Sequence, residues 1–265
     1  MNLVEGQSPS TETNVTDLTR SDVSNAGVEL ENKTVDYYDQ AKGYLVYPLS
    51  PNENQSTSNN KTLPAVVMIH ENKGLNDNIK NMANLLAKSG YVVLAVDLFK
   101  GEVTTDRNRS SELTQEVRDN QDIATANLKS AVKYLASLPN VNAEKIVSLG
   151  WCFGGAQSLQ LALNSQDHLL AATIIYYGRL ITDNATLANI KWPVLGIFGD
   201  QDKSIPVDTV KAFELGLNSN SIPNEIHIYK GVGHAFANPS GENYAPKETQ
   251  DAWQKTLSFL KKYVG

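Results

Sequence analysis

The stretch KIVSLGWCFGGAQSLQLAL, residues 145–163, decides the fold. Its first residues are mostly apolar, which predicts a buried strand, and the run from Ala156 to Leu163 predicts a helix. Between them, Cys152 stands in a Gly-x-Cys-x-Gly-Gly frame. A nucleophile on a sharp strand-to-helix turn needs small neighbours, so the frame is a G-x-S-x-G elbow with sulfur in place of oxygen. The helix N-terminus behind Cys152 also favours its thiolate. The alternative, a buried cysteine acting as a small apolar residue, leaves the glycines unexplained.

Outward from this stretch, short apolar runs alternate with segments of helical periodicity. This alternation predicts an α/β fold with a mostly parallel, doubly wound sheet flanked by helices. The predicted strands are Gly43–Tyr47, Ala65–Ile69, Tyr91–Val96, Lys145–Leu149, Ala171–Tyr176, Val194–Phe198 and Glu225–Tyr229. Helices are predicted over 79–86, from near 115 to 138, after Pro206 and over 253–264.

Two polar stretches fall outside this pattern. Residues 1–36 contain no Phe, Tyr, Trp or Ile and are rich in Ser, Thr, Asn, Asp and Glu. Such residues bury little apolar surface to offset the entropy of ordering them. We therefore predict a polar N-terminal tail over 1–36, flexible or laid on the surface, and one domain over 37–265. The second polar stretch, Ser50–Thr62, predicts a surface loop.

The charge balance and hydropathy narrow the functional class. The chain has 23 Lys and Arg against 29 Asp and Glu, a net charge of −6, and no basic run that could follow a phosphate backbone. Nucleic acid is therefore not an expected partner. No stretch approaches the roughly 18 consecutive apolar residues of a membrane span, and no basic-then-apolar leader opens the chain. We expect no membrane span and a cytoplasmic protein, with export after removal of a leader as the alternative. A monomer is expected, with a dimer as the alternative.

An acid and a base should accompany the nucleophile, in the chain order nucleophile, carboxylate, histidine. The loop after Val194–Phe198 contains Asp200 and Asp202, and the loop after Glu225–Tyr229 contains His234. Both loops follow strand C-terminal ends, where ligands bind in open α/β sheets. Asp202 is the predicted acid because it lies further into its loop, and Asp200 is expected to brace the turn. His234 is the predicted base. The other histidines are His70 at a strand end, His168 in a polar loop and His227 inside a strand.

Together these motifs resemble the dienelactone hydrolase family of the α/β-hydrolase fold, over about residues 43–264. The shared features are Gly-Trp-Cys-Phe-Gly-Gly around Cys152, His70-Glu71, Asp97-Leu98-Phe99, the Asp202 loop and Gly233-His234-Ala235-Phe236. The resemblance implies a catalytic triad of Cys152, Asp202 and His234. It also implies that Glu71 contacts the resting thiol and that the backbone amides of Asn72 and Phe153 form the oxyanion hole.

The chain departs from the family in the substrate pocket. Members that process dienelactones hold the substrate carboxylate with arginines, but this chain has Lys100-Gly101 and Ala237-Asn238 at those places. Lys73, Lys100 and Arg179 are candidate substitutes, although an exposed Lys or Arg is more often a solubilising charge. The predicted substrate-binding residues are Trp151, Lys100, Arg179 and Phe236.

These residues predict an enzyme that hydrolyses an activated ester or lactone, of the dienelactone or carboxymethylenebutenolide type, through an acyl-cysteine. A thiolate leaves more readily than an alkoxide, so adducts with poor leaving groups collapse backwards, whereas enol esters and lactones go forwards. The single cysteine excludes a multi-thiolate zinc site, and no metal or organic cofactor is expected. The alternatives are a carboxylesterase of broad specificity and a non-hydrolytic thiol redox sensor.

Overall fold

The structure is a computed structural model, and it describes residues 27–49, 62–166 and 170–265. The described strands form one mixed sheet. They are β1 Leu30–Tyr38, β2 Ala41–Pro48, β3 Leu63–Ile69, β4 Val92–Val96, β5 Val141–Trp151, β6 Ala172–Tyr176, β7 Val194–Gly199 and β8 Asn224–Tyr229. Their order across the sheet is β1-β2-β4-β3-β5-β6-β7-β8.

Helices cover the sheet. Those described are α1 Asp77–Lys88, α2 Arg107–Asp119, α3 Gln121–Ala136, α4 Phe153–Leu163, α5 Asn184–Leu187, α6 Val207–Ser219 and α7 Pro246–Val264. Buried side chains of α1 and α7 share one core with one face of the sheet. Buried side chains of α2, α3, α4 and α6 share a second core with the other face. Because both faces are covered, the central strands can be apolar throughout.

The run of strands from β4 through β8 is parallel, whereas β2 pairs antiparallel with β4, and β1 pairs antiparallel with β2. The predicted α/β-hydrolase fold, with its mostly parallel sheet flanked by helices, is confirmed. In a parallel sheet, the loops that follow the strands all emerge at one edge. This geometry gathers the loops after β3, β5, β6, β7 and β8, which carry the predicted site.

Two boundaries differ from the sequence prediction. Residues 30–36, which the polar composition assigned to the tail, belong to β1 and pair with β2. Most of β1 is exposed and only Val35 and Tyr37 are buried. An edge strand this polar has no run of apolar residues from which the sequence could predict it. The helix predicted from near 115 to 138 is two helices, α2 and α3, which meet at Asn120. The tail residues 1–26 and most of the predicted loop, residues 50–61, lie outside the described residues.

No helix in the described ranges is both long and apolar enough to cross a membrane.

Candidate active site

Cys152 occupies the sharp turn between β5 and α4. Its backbone has φ 53° and ψ −116°, a conformation that residues with side chains rarely adopt. The Cys152 amide donates a hydrogen bond to the Tyr176 carbonyl over 3.0 Å, which ties the turn to β6. The side chain is partly exposed. A strained backbone that presents a reactive side chain is typical of functional turns.

Two glycines make this turn possible. A β-carbon at Gly150 would lie 2.1 Å from the Gly154 carbonyl oxygen, and one at Gly154 would lie 2.3 Å from the Ile69 carbonyl oxygen. These close contacts are with backbone atoms, which cannot move without distorting the turn or β3. The glycines of the elbow therefore let the start of α4 pack directly on the end of β3.

The structure brings together the three residues of the predicted triad. His234 Nε2 lies 3.1 Å from Cys152 Sγ, and His234 Nδ1 lies 2.7 Å from Asp202 Oδ2. The loops that carry Asp202 and His234 follow the adjacent parallel strands β7 and β8, so both reach the edge where Cys152 lies. Sulfur, imidazole and carboxylate thus form one hydrogen-bonded chain, an arrangement that can activate a nucleophile.

The two aspartates of the β7 loop have different partners. Asp202 is buried, and its Oδ1 accepts hydrogen bonds from the amides two and three residues further on, at 2.8 and 3.1 Å. Its Oδ2 is left for His234. Asp200 accepts a hydrogen bond from the Gly231 amide at 2.7 Å, which links the loops after β7 and β8. Asp202 is thus the aspartate bonded to His234, while Asp200 joins the two loops.

The surroundings of His234 favour its protonated form. Burial opposes the charge, but the hydrogen bonds to Asp202 and Cys152 outweigh burial and raise the pKa of His234 to about 10. The ring therefore holds its proton at neutral pH. A protonated imidazole within hydrogen-bond distance of a sulfur is the kind of neighbour that activates a cysteine as a nucleophile.

Glu71 follows β3 at the same edge and is buried. Its Oε2 accepts a hydrogen bond from the Asn238 side-chain amide. Burial raises the pKa of Glu71 to about 7, although Lys73, His234 and Asn238 act in the opposite direction. The resemblance implies that Glu71 contacts the thiol, but the hydrogen bond of the thiol is to His234.

Tyr177 is a residue of this site that the sequence did not point to. It follows β6, and its ring packs edge-on against His234 with 5.3 Å between the ring centroids. Its hydroxyl is buried and interacts with the Glu71 carboxyl. Burial, together with the nearby charges of Glu71 and Cys152, raises the pKa of Tyr177 well above its ordinary value. The sequence signal that could have indicated Tyr177 is its position directly after β6, the strand that pairs with β5.

The two predicted oxyanion-hole amides lie on segments that pack together. Phe153 is the first residue of α4, so its amide has no acceptor within the helix. Asn72 lies in the loop after β3, and its carbonyl accepts a hydrogen bond from the Ser110 hydroxyl at 2.6 Å. Between them, a β-carbon at Gly154 would meet the His70 carbonyl oxygen at 2.5 Å. This close packing suits a pair of amides that bind one oxyanion.

The four residues predicted to bind substrate fall into two groups. Trp151 and Phe236 are 4% and 0% exposed and pack against buried tyrosines. Their side chains pack in the core and leave little or no surface for a ligand, and their role in substrate binding stays a prediction. Lys100 and Arg179 are exposed, and Lys73 is partly exposed.

A cavity of about 630 Å³ lies on the side of the sheet that α2 and α3 cover. Its walls are the β1–β2 turn, the end of β4, α2 and α3, and Lys100 is on its rim. Cys152, Asp202 and His234 are not among its lining residues. Lys100 thus lines a cavity that none of the three triad residues lines.

The other histidines occupy different surroundings. His70 is fully buried, with Nδ1 2.5 Å from the Glu71 carbonyl oxygen and Nε2 3.1 Å from the Leu98 amide. His227 is partly buried in β8, and His168 lies outside the described residues. Within the described ranges, no group of three or more His, Cys, Asp or Glu residues could hold a metal ion.

A family model described as the dienelactone hydrolase family matches residues 54–264. That match covers most of the chain. The chain belongs to the dienelactone hydrolase family. Membership confirms the resemblance drawn from the Cys152 elbow and its companion motifs, and it places the protein in a family of hydrolases.

Individual relatives agree with this membership. Protein usf of Aquifex pyrophilus is 30% identical over 206 residues, which cover 76% of this chain and 89% of that protein. A Saccharolobus solfataricus protein named "Putative carboxymethylenebutenolidase" is 30% identical over 232 residues, which cover 75% of this chain and 89% of that protein. The crystal structure of a dienelactone hydrolase-like promiscuous phosphotriesterase from metagenomic libraries aligns with a TM-score of 0.78 at 24% identity, over 90% of this chain and 100% of that chain. At this identity the structural likeness shows the shared fold alone.

Proposed function

We propose that this dienelactone hydrolase family member hydrolyses activated esters or lactones with Cys152 as the nucleophile. The observation that carries the proposal is the 3.1 Å contact between His234 Nε2 and Cys152 Sγ, extended by the bond from His234 to Asp202. The name of the Saccharolobus solfataricus relative supports an enol lactone as the substrate. The family match favours hydrolysis over a purely redox role for the thiol.

In the first half of the reaction, the Cys152 thiolate attacks the carbonyl carbon, and the carbonyl oxygen becomes an oxyanion. The amides of Asn72 and Phe153 bind this oxyanion, and losing one such donor typically costs about 10²–10³ in rate. When the carbonyl re-forms, the bond to the alcohol or enol oxygen breaks and an acyl thioester remains on Cys152. His234 gives its proton to the departing oxygen.

In the second half, neutral His234 takes a proton from water as the water oxygen attacks the thioester carbonyl carbon. The second tetrahedral adduct collapses and breaks the carbon–sulfur bond. Cys152 leaves as a thiolate beside protonated His234, and the carboxylic acid is released. Asp202 holds the ring in one tautomer and stabilises its charge in both halves.

The second candidate is a carboxylesterase of broad specificity. It is favoured by Asn238, which stands near the place where dienelactone-processing members have an arginine and is bonded to Glu71. A panel of enol lactones with and without a free carboxylate separates the candidates. A preference for the carboxylate of tenfold or more (about 1.4 kcal/mol) supports the dienelactone-type substrate, and equal rates support the carboxylesterase.

The central test is Cys152→Ala with an enol lactone and a peptide amide as substrates. We expect the wild-type protein to cleave the lactone and not the amide, and the variant to lose lactone cleavage by at least about 10³-fold because no nucleophile remains. Intact-protein mass spectrometry of quenched wild-type reactions should detect the acyl group on Cys152. Full activity of a folded Cys152→Ala variant, or comparable turnover of the amide, would exclude the proposed function.

A further inference from the structure

We propose that His70 is a positioning residue that orients one amide of the oxyanion hole by bonding to the carbonyl of the same peptide unit. Its Nδ1–H donates to the carbonyl oxygen of the peptide unit that joins Glu71 to Asn72, at 2.5 Å. The N–H of that same peptide unit is the Asn72 amide assigned to the oxyanion. This inference rests on the proposed function and adds a residue that the triad mechanism does not use.

The hydrogen bonds of His70 fix its tautomer. The Leu98 amide can only donate, so Nε2 of His70 is the acceptor in their 3.1 Å contact. In a neutral ring the proton is then on Nδ1, which faces the Glu71 carbonyl oxygen. Burial lowers the pKa of His70, which keeps the ring neutral. The ring therefore has one donor, and it points at the oxyanion-hole peptide.

The ring is also held in place by its neighbours. His70 has no exposed surface. Its ring meets Phe99 edge-on with 4.6 Å between centroids, and it stacks on Phe153 at 5.9 Å. Phe153 carries the second amide of the proposed oxyanion hole, so His70 touches both halves of it: one by a hydrogen bond and the other by ring packing.

The geometry of the peptide unit explains how the bond from His70 to the Glu71 carbonyl orients the Asn72 amide. A peptide unit is planar and trans, so its C=O and N–H point in opposite directions, and fixing the oxygen fixes where the N–H points. Hydrogen bonds in series also polarise one another, so a donor on the Glu71 carbonyl strengthens the Asn72 N–H as a donor. A neighbouring support comes from Ser110, which holds the next carbonyl, that of Asn72, at 2.6 Å. Donors fixed before the reaction are the ones that stabilise an oxyanion best.

Two variants separate the two hydrogen bonds of the ring. In His70→Gln, the terminal amide lies as far along the side chain as Nε2, so it can accept from Leu98 but cannot donate to the Glu71 carbonyl. In His70→Asn, the side-chain amide lies as far along as Nδ1, so it can donate to the Glu71 carbonyl but cannot reach Leu98. His227→Gln is the matched control, because His227 lies in β8 and outside the triad.

Three measurements on these variants separate an effect on the orientation of the oxyanion hole from an effect on folding. The first is kcat and KM for an enol lactone. The second is inhibition by an alkyl trifluoromethyl ketone, to which the thiolate adds so that the ketone oxygen becomes an oxyanion without a leaving group. The third is alkylation of Cys152 by iodoacetamide, in which the thiolate displaces iodide and no oxyanion forms. Thermal unfolding of each variant shows that it is folded at the assay temperature.

For His70→Gln we expect kcat and ketone affinity to fall about 10- to 100-fold, since one oxyanion donor is misaligned and not removed. KM should change little. The rate of alkylation should stay within about twofold of wild type, because it needs only the thiolate. His70→Asn should recover most of the kcat, and His227→Gln should match wild type.

Equal losses in His70→Gln and His70→Asn, or a parallel fall in alkylation, would assign His70 to packing alone and overturn the inference. Wild-type kcat in His70→Gln would do the same. If the wild-type protein itself cleaves no ester and binds no ketone, the proposed function fails first and this inference falls with it. The two failures are therefore distinguishable.

A measurement on the unmodified protein covers the case in which His70→Gln does not fold. The Nδ1 proton of the buried His70 ring should be visible by ¹⁵N-resolved NMR, assigned by its absence in His70→Asn. Binding of the trifluoromethyl ketone should move it downfield, because an oxyanion on the Asn72 amide polarises the bond behind it. An unchanged position in the ketone complex would contradict the inference.

Discussion

Asp202 shows how one side chain fixes the orientation of His234, the proposed base. Its Oδ1 accepts hydrogen bonds from two backbone amides of its own loop, and its Oδ2 is bonded to His234. Because the carboxylate is buried, water does not compete for this bond, and the low local dielectric strengthens it. The imidazole is thereby kept in the orientation that turns Nε2 toward Cys152.

Glu71 gives a prediction about pH at the scale of a single residue. Burial raises its pKa from 4.5 to about 7 in the folded protein, so between these values the folded state holds a proton that the unfolded state has released. The free energy of unfolding of the wild-type protein therefore falls as the pH rises from 4.5 to about 7, because the folded state must give up this proton. Glu71→Gln cannot ionise, so its free energy of unfolding relative to wild type should increase over this interval, by up to about 3 kcal/mol.

Urea unfolding across this pH range measures that difference. Glu144→Gln is the matched control, because Glu144 is exposed and its side chain is solvated in both states. A stability difference between Glu71→Gln and wild type that does not change with pH would show that the Glu71 carboxyl titrates alike in the folded and unfolded states.

At the scale of elements, the catalytic turn depends on how closely α4 approaches β3. The approach is set by Gly154, where a β-carbon would lie 2.3 Å from the Ile69 carbonyl oxygen and 2.5 Å from the His70 carbonyl oxygen. The same strand end leads into the loop of Glu71 and Asn72. A change in the spacing between these two elements therefore moves the nucleophile relative to one of its proposed oxyanion donors.

Gly154→Ala tests this spacing. The added methyl group must push α4 away from β3, so we expect the free energy of unfolding to fall by about 1–3 kcal/mol, together with a loss of ester hydrolysis larger than the loss of stability explains. Gly233→Ala is the control for stability, because a β-carbon there would meet its nearest neighbour at an ordinary 3.7 Å. Equal unfolding free energies for the two variants, measured in urea, would contradict the close-approach explanation.

At the scale of the whole molecule, the sequence predicts the contacts that follow from a known motif order, and it does not predict the other contacts between distant segments. Seven strands and the triad followed from apolar runs and from the order of Cys152, Asp202 and His234 along the chain. The bond between Glu71 and Asn238 joins residues 167 positions apart, and no periodicity reports such a contact. Trp151 and Phe236 are near Cys152 and His234 in the sequence. Their burial depends on how helices and strands pack over them, which sequence neighbourhood does not describe.

Strand β1 gives a prediction at this scale. The Tyr37 hydroxyl lies 2.8 Å from Asn127 Oδ1 and accepts a hydrogen bond from the Asp97 amide at 3.0 Å, so it ties the edge strand to α3 and to the end of β4. Tyr37→Phe leaves these buried groups unpaired. We expect it to lower the free energy of unfolding by about 1–3 kcal/mol, measured by urea unfolding.

The control for this change is Tyr134→Phe, which removes a hydroxyl from a partly exposed side chain of α3 and should change stability by less than about 0.5 kcal/mol. If Tyr37→Phe is as stable as wild type, the hydroxyl does not hold β1 to the domain.

The partly exposed sulfur of Cys152 is the only thiol in the sequence. Peroxide can oxidise Cys152 to a sulfenic acid. Because the sequence has no second cysteine, this sulfenic acid cannot form an internal disulfide that would prevent further oxidation. Repair then depends on small thiols such as glutathione supplied from solution, and oxidation beyond that stage is permanent. With Cys152 as the proposed nucleophile, we expect the turnover of a sample to fall in proportion to the fraction of chains in which residue 152 is oxidised.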